Sequence, residues 1–181
     1  MGCQLSRRPA PHGLCRLGIA LAVVGLAGSN AYADQVSGLI TRTYALVENT
    51  DLAGDVTCDV ENAACFSFAA SNIELRLNGF TITGRADAST GCGGASFPAE
   101  SGVSTNRSHG VSVRGPGMIQ RTRGRGIIVT GSNDVRVQNL TISTTCSSGI
   151  FVAADSFGAL IQDVVAVRNG ASAPGISCGG I

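Results

Sequence analysis

Four arginines, Arg114, Arg121, Arg123 and Arg125, fall inside the stretch "RGPGMIQRTRGRG". A guanidinium offers a planar fork of donors that matches a carboxylate, so a row of them suits an acidic sugar chain. Arg121, Arg123 and Arg125 are the candidate ligand-binding residues. Arg121 and Arg123 lie two apart, a spacing that puts both on one face of a strand. The alternative is a solvated bend whose charges keep an exposed edge soluble.

Other reactive side chains are sparse. "DVTCDVEN" brings Asp55, Asp59 and Glu61 together. Ca²⁺ needs several oxygens converging from one tight loop, and the glycine spacing of an EF-hand is missing, so a polar edge is expected. Ser108 and His109 are neighbours, yet no G-x-S-x-G elbow frames the serine. No C-x-x-C occurs, and His109 is the one histidine after residue 33. No catalytic residue, metal ligand or cofactor is assigned.

The elements that must position these groups lie after an N-terminal segment of different character. "MGCQLSRRPAPHGLCR" carries Arg7, Arg8 and Arg16 and no acid, an apolar run fills residues 17–28, and small residues follow at Ala31 to Ala33. This three-part pattern predicts a signal peptide over 1–33, cleaved before Asp34, and a secreted or periplasmic protein. The run is too short to span a bilayer, so no membrane span is expected after cleavage. Removing those three arginines leaves ten of 13 basic residues against 12 acids, a formal charge of −2. That balance does not favour nucleic acid as a partner.

Within 34–181 the chain is rich in Gly, Ser, Thr, Asn and Val, with short alternating runs and no amphipathic helical period. Ser108, Ser132 and Ser156 recur at an interval of 24, as do Val111, Val135 and Ala159, and Val113, Val137 and Ile161. A second set, "GIIV" at Gly126, "GIFV" at Gly149 and "GISC" at Gly175, recurs at 23 and 26. An earlier copy, "SNIELRLNGFTI" from Ser71, is separated from the rest by the Gly/Ser/Ala-rich insertion "ADASTGCGGASFPAESGVSTN".

A fixed period in the twenties predicts stacked units, and two or three short strands per unit predict a parallel β-solenoid. An antiparallel sandwich has similar strands but no reason for equal spacing. Inward columns are expected from Leu75, Val111, Val135 and Ala159, and from Ile127, Val129, Ile150, Val152, Ile176 and Cys178. The last would be a buried, free thiol. Asn78, Gly115, Asn139 and Asp163 are expected at one shared bend, where Asn tolerates left-handed backbone and stacked Asn side chains can pair.

Export favours disulfides, and five cysteines follow residue 33. The candidates are Cys58, Cys65, Cys92 and Cys146. Cys58 with Cys65 would close a small loop, and Cys92 with Cys146 would staple the insertion to the stack. This is one of about fifteen arrangements.

"YALVENTDLAGDVTC", "FSFAASNIELRLNGFTITG" and "GVSVRGPGMIQRTRGRGIIV" resemble the coils of right-handed parallel β-helix proteins of the pectin-lyase-like superfamily. The resemblance covers about residues 40 to 181. It implies an all-β, right-handed parallel β-helix of about four to five coils over 34–181. The acid clusters and proton-abstracting base of the family's lyases have no match here, nor do the paired aspartates of its hydrolases. The final copy, "APGISCGGI", has no polar cap, so the domain reads as truncated at its C-terminus or capped by a partner. The expected function is an exported glycan- or surface-binding module, with acidic polysaccharide as partner. The alternatives are a polysaccharide lyase or hydrolase, and a structural or adhesive fragment that self-associates end to end.

Overall fold

A computed structural model describes residues 33–86, 92 and 99–170. Among these residues the structure is all-β, and no helix is long and apolar enough to cross a membrane. The segment 1–32, where the signal peptide is expected, lies outside the described residues, as do Ile176 and Cys178.

The strands alternate between two sheets. One sheet takes β1 (Asp34–Ile40), β3 (Thr50–Cys58), β5 (Glu74–Arg76), β6 (Thr81–Thr83), β8 (Ser112–Arg114), β9 (Met118–Gln120), β11 (Arg136–Ser143) and β13 (Leu160–Val167). The other takes β2 (Tyr44–Leu46), β4 (Phe66–Phe68), β7 (Val103–Asn106), β10 (Ile127–Thr130) and β12 (Ile150–Val152). Every described strand pair is parallel. Parallel pairing of strands about one repeat apart gives a solenoid-like stack and leaves no place for the hairpins of a sandwich.

The interval of 24 survives in detail. Gln138 pairs with Gln162, Val137 with Ile161, and Arg136 with Leu160. Backbone amides add to the stacking: Ser108 N donates to Ser132 Oγ at 3.2 Å, and Ser132 N to Ser156 Oγ at 3.3 Å. At the shared bend Asn78, Asn139 and Asp163 all have φ between 51° and 54°. Asn and Asp bear this conformation at low cost because their short side chains bond locally. Asn78 Nδ2 donates to the Leu52 carbonyl of the preceding winding at 3.3 Å, and not to another Asn.

The inward positions are apolar and β-branched, as a half-buried strand requires. Phe66, Val103, Ile127 and Ile150 make one buried column, and Ile82, Ile119 and Ile142 another. Leu75 departs from expectation. It stacks on Val113 and Val137, while Ile73 holds the place before Val111. A slip of two residues keeps the same face inward, so alternation does not reveal it, and the insertion absorbs the difference. Ala159 and Val152 also depart, since both are exposed on the last described winding. The insertion is shorter than its composition indicates, because its final residues form β7.

Thr105 sits on that strand between Phe68 and Val129, fully buried, and its hydroxyl has no hydrogen-bond partner. An unpaired buried hydroxyl costs about 1–3 kcal/mol. Thr105→Val, which keeps the shape, is therefore expected to raise stability by about 1 kcal/mol. A lower urea midpoint for the variant would contradict this.

Candidate ligand-binding face

Leu75, Val113 and Val137 point inward, so their neighbours Glu74, Arg76, Ser112, Arg114, Arg136 and Gln138 point outward on the eight-stranded sheet. Register then builds two outward rows. One runs Asp51, Arg76, Arg114, Gln138, Gln162. The other runs Glu74, Ser112, Arg136, Leu160. Successive members lie about 4.8 Å apart, the spacing of strands in a sheet.

The rows change character along the stack. At the early end Arg76 Nε lies 3.2 Å from Asp51 Oδ1 and 3.1 Å from Glu74 Oε2. Ser112 Oγ donates to Glu74 Oε1 at 3.1 Å. Those two acids are thus engaged by their own surface. Arg114 touches Glu74 only at 3.9 Å, and its side chain is 60% exposed. Arg136, one winding on, is exposed. Beside them Gln138 Nε2 donates to Gln162 Oε1 at 3.0 Å, an amide ladder on an open face. Two guanidiniums and two amides on adjacent rungs can grip carboxylates and sugar hydroxyls of an extended chain.

The arginines singled out by the sequence lie elsewhere. Arg121, Arg123 and Arg125 occupy the turn between β9 and β10, so the expected shared strand face does not exist. Arg121 has a φ of 54°, which breaks the extended run. Its Nε and Nη2 donate to the Ala86 carbonyl at 3.1 and 2.9 Å. Arg123 Nε lies 3.5 Å from Glu100 Oε2, and the Arg125 guanidinium sits 4.2 Å over the Phe151 ring. Each of these side chains is directed at a protein partner.

The remaining candidates are also occupied. Asp55 Oδ1 accepts from the Thr81 amide at 2.8 Å. Arg85 bridges Asp59 at 3.1 Å and Glu61 at 3.0 Å. The bond to Glu61, followed by the charges around it, holds the Arg85 guanidinium above its ordinary range. No cluster of three or more metal-ligating side chains forms among the described residues. Ser108 is buried, and its hydroxyl faces the Phe68 and Asn106 carbonyls, while His109 Nδ1 lies 3.4 Å from Asn133 Nδ2. The serine and histidine are not paired for catalysis. Among the described residues two disulfides are present, Cys58–Cys65 with Cα atoms 5.7 Å apart and Cys92–Cys146 at 5.2 Å.

No family model, curated protein or solved structure matches this chain. The reading of function therefore rests on the parallel all-β scaffold and on the side chains it displays. Residue type alone does not single out Arg136, Gln138 or Gln162. Their signal was the interval of 24, which places Gln138 against Gln162 and Arg136 one rung from Ser112.

Proposed function

We propose that this chain is an exported right-handed parallel β-helix of about four to five coils, of pectin-lyase-like type, that binds acidic polysaccharide along its outer face. Parallel crossovers are right-handed in nearly all proteins, which supports the hand. The charged segment and apolar run before Asp34 support export to the periplasm or beyond by a cleaved signal. The observation that carries the binding reading is the exposed pair Arg114 and Arg136 beside the Gln138–Gln162 ladder. Because Arg121, Arg123 and Arg125 are directed at protein partners, the ligand is assigned to this face instead.

Arg114→Ala with Arg136→Ala is expected to weaken binding of polygalacturonate at least about tenfold, equal to about 1.4 kcal/mol. Binding should fall with added salt, since both arginines are open to solvent. Isothermal titration against polygalacturonate and neutral dextran is the measurement. Equal affinity of the double variant and the parent would overturn the assignment. An unsaturated product absorbing in the ultraviolet would replace it with a lyase.

A further inference from the structure

Asparagine is followed by glycine at two places in the chain, Asn78–Gly79 and Asn169–Gly170. Such a pair can modify itself. The glycine amide nitrogen attacks the Cγ of the asparagine side chain, the Cγ–Nδ2 bond breaks, and ammonia leaves with the amide proton. A cyclic imide remains. Water opens it at either carbonyl, giving aspartate or isoaspartate. Glycine is the favourable partner because no Cβ shields its nitrogen and its backbone turns freely. The step needs the nitrogen and Cγ close and aligned, so both groups must first leave their other partners.

The fold holds the two pairs differently. Asn169 is half-buried, and its side chain is tied down at both atoms. Oδ1 accepts from the Thr145 amide at 3.1 Å and from the Thr145 hydroxyl at 3.0 Å, and Nδ2 donates to the Ile142 carbonyl at 3.1 Å. The Gly170 amide is shared between the Thr145 and Ser147 carbonyls, at 3.0 and 2.8 Å. Asn78 and Gly79 are exposed. Among the described residues, the Asn78 side chain makes one bond, from Nδ2 to the Leu52 carbonyl at 3.3 Å, and the Gly79 amide has one acceptor, the Pro116 carbonyl at 2.6 Å. A Cβ built on Gly79 would meet nothing within 4 Å, so there is room at this bend for the ring to form and for water to open it.

From this we infer that Asn78 is a self-modification site, where the folded protein converts asparagine to aspartate and isoaspartate while Asn169 stays intact. Freeing the reacting groups at Asn78 takes the loss of two hydrogen bonds. At Asn169 it takes the loss of five. Local opening of this kind governs the reactivity of amides in a native protein. The two products act differently on the bend. Aspartate suits the backbone, since Asp163 holds a φ of 53° at the same bend. Isoaspartate routes the main chain through the side-chain carbon and adds a methylene between β5 and β6, where Leu77 and Ile82 are both fully buried. The windings on either side hold that segment in register, so the fold ages from this corner.

The full chain, purified and kept in mildly alkaline buffer, tests this through its peptides. Trypsin cuts after Arg76, Arg85 and Arg168, so Asn78 is the sole asparagine of the peptide from Leu77 to Arg85, and Asn169 that of the peptide from Asn169 to Ile181. Mass spectrometry follows the exchange of –NH2 for –OH, and chromatography separates aspartate from isoaspartate. In native buffer the first peptide should convert at least about tenfold faster than the second. In urea, with the disulfides reduced, the two should convert at comparable rates, because only the fold distinguishes them. Equal rates in the native protein, or a faster rate at Asn169, overturn the inference. So does native protein in which Asn78 stays intact. A preference that persists in urea overturns it too, since local sequence and not the fold would then be its cause. None of these outcomes depends on whether polysaccharide binds.

Discussion

Gly115→Ala is expected to cost at least about 4 kcal/mol, much of the stability of a domain of this size. A Cβ built on Gly115 would overlap the carbonyl oxygen of Asn139, far inside van der Waals contact. Neither side can yield cheaply. The Gly115 amide is tied to the Gln138 carbonyl at 2.9 Å, and Asn139 turns through a left-handed φ of 54°. Both residues belong to windings held above and below, so moving one displaces the ladder on each side. The other windings at this bend use Asn or Asp, and glycine appears where backbone approaches backbone most closely. Gly54→Ala is the control. Its Cβ would meet only the Ser37 side chain, at 3.1 Å, so a change below about 1 kcal/mol is expected. Urea unfolding followed by circular dichroism compares the two. Equal midpoints would show that the bend relaxes, contrary to the argument.

The second large effect is expected from the disulfides, and it should be unequal. A cross-link removes conformations from the unfolded chain, more of them when the loop is longer. Cys92–Cys146 spans 54 residues and Cys58–Cys65 spans 7. The chain-entropy relation gives about 4 kcal/mol for the first and about 2 kcal/mol for the second. Cys92→Ala with Cys146→Ala should therefore lower the denaturation midpoint more than Cys58→Ala with Cys65→Ala. The reverse order would mean that local packing around the short loop, against Phe66 and Val60 in the same buried cluster, outweighs loop entropy.

Spacing carried most of the legible information. Equal intervals between Ser108, Ser132 and Ser156 fixed which backbones lie one on another, and hydrogen bonds join those serines. The column of Val137 on Ile161 follows from the same interval, and that of Ile127 on Ile150 from the second set, where the interval is 23. Where the interval is interrupted, spacing no longer decides which residues pair. Side-chain alternation is blind to a shift of two, so it does not separate Val111 from Val113 as the partner of Leu75, and backbone pairing places Leu75 against Val113. β7 was hidden because Val103–Asn106 continues a Gly/Ser/Ala-rich run without a change of composition. The expectation that Arg121 and Arg123 share a strand face fails for a different reason. Residue type marked Arg121, Arg123 and Arg125 as a patch, but a left-handed residue at Arg121 takes that segment out of the sheet. Alternation is a property of extended backbone, and one positive φ is enough to end it.

The Arg121 fork on the Ala86 carbonyl has a further consequence. Gly84 N donates to the Gln120 carbonyl, and Ala86 N to that of Arg121, at 2.8 and 2.7 Å. Where the chain returns, Gly102 N donates to the Arg125 carbonyl at 3.1 Å, and Glu100 Oε1 accepts from the Asn62 amide at 3.1 Å. Both feet of the excursion at 87–98 are thus bolted to adjacent rungs, and Cys92 within it is linked to Cys146 as well. That corner is a socket: peptide spliced there that keeps Cys92 can vary in size while the rungs on either side and the link to Cys146 stay in place.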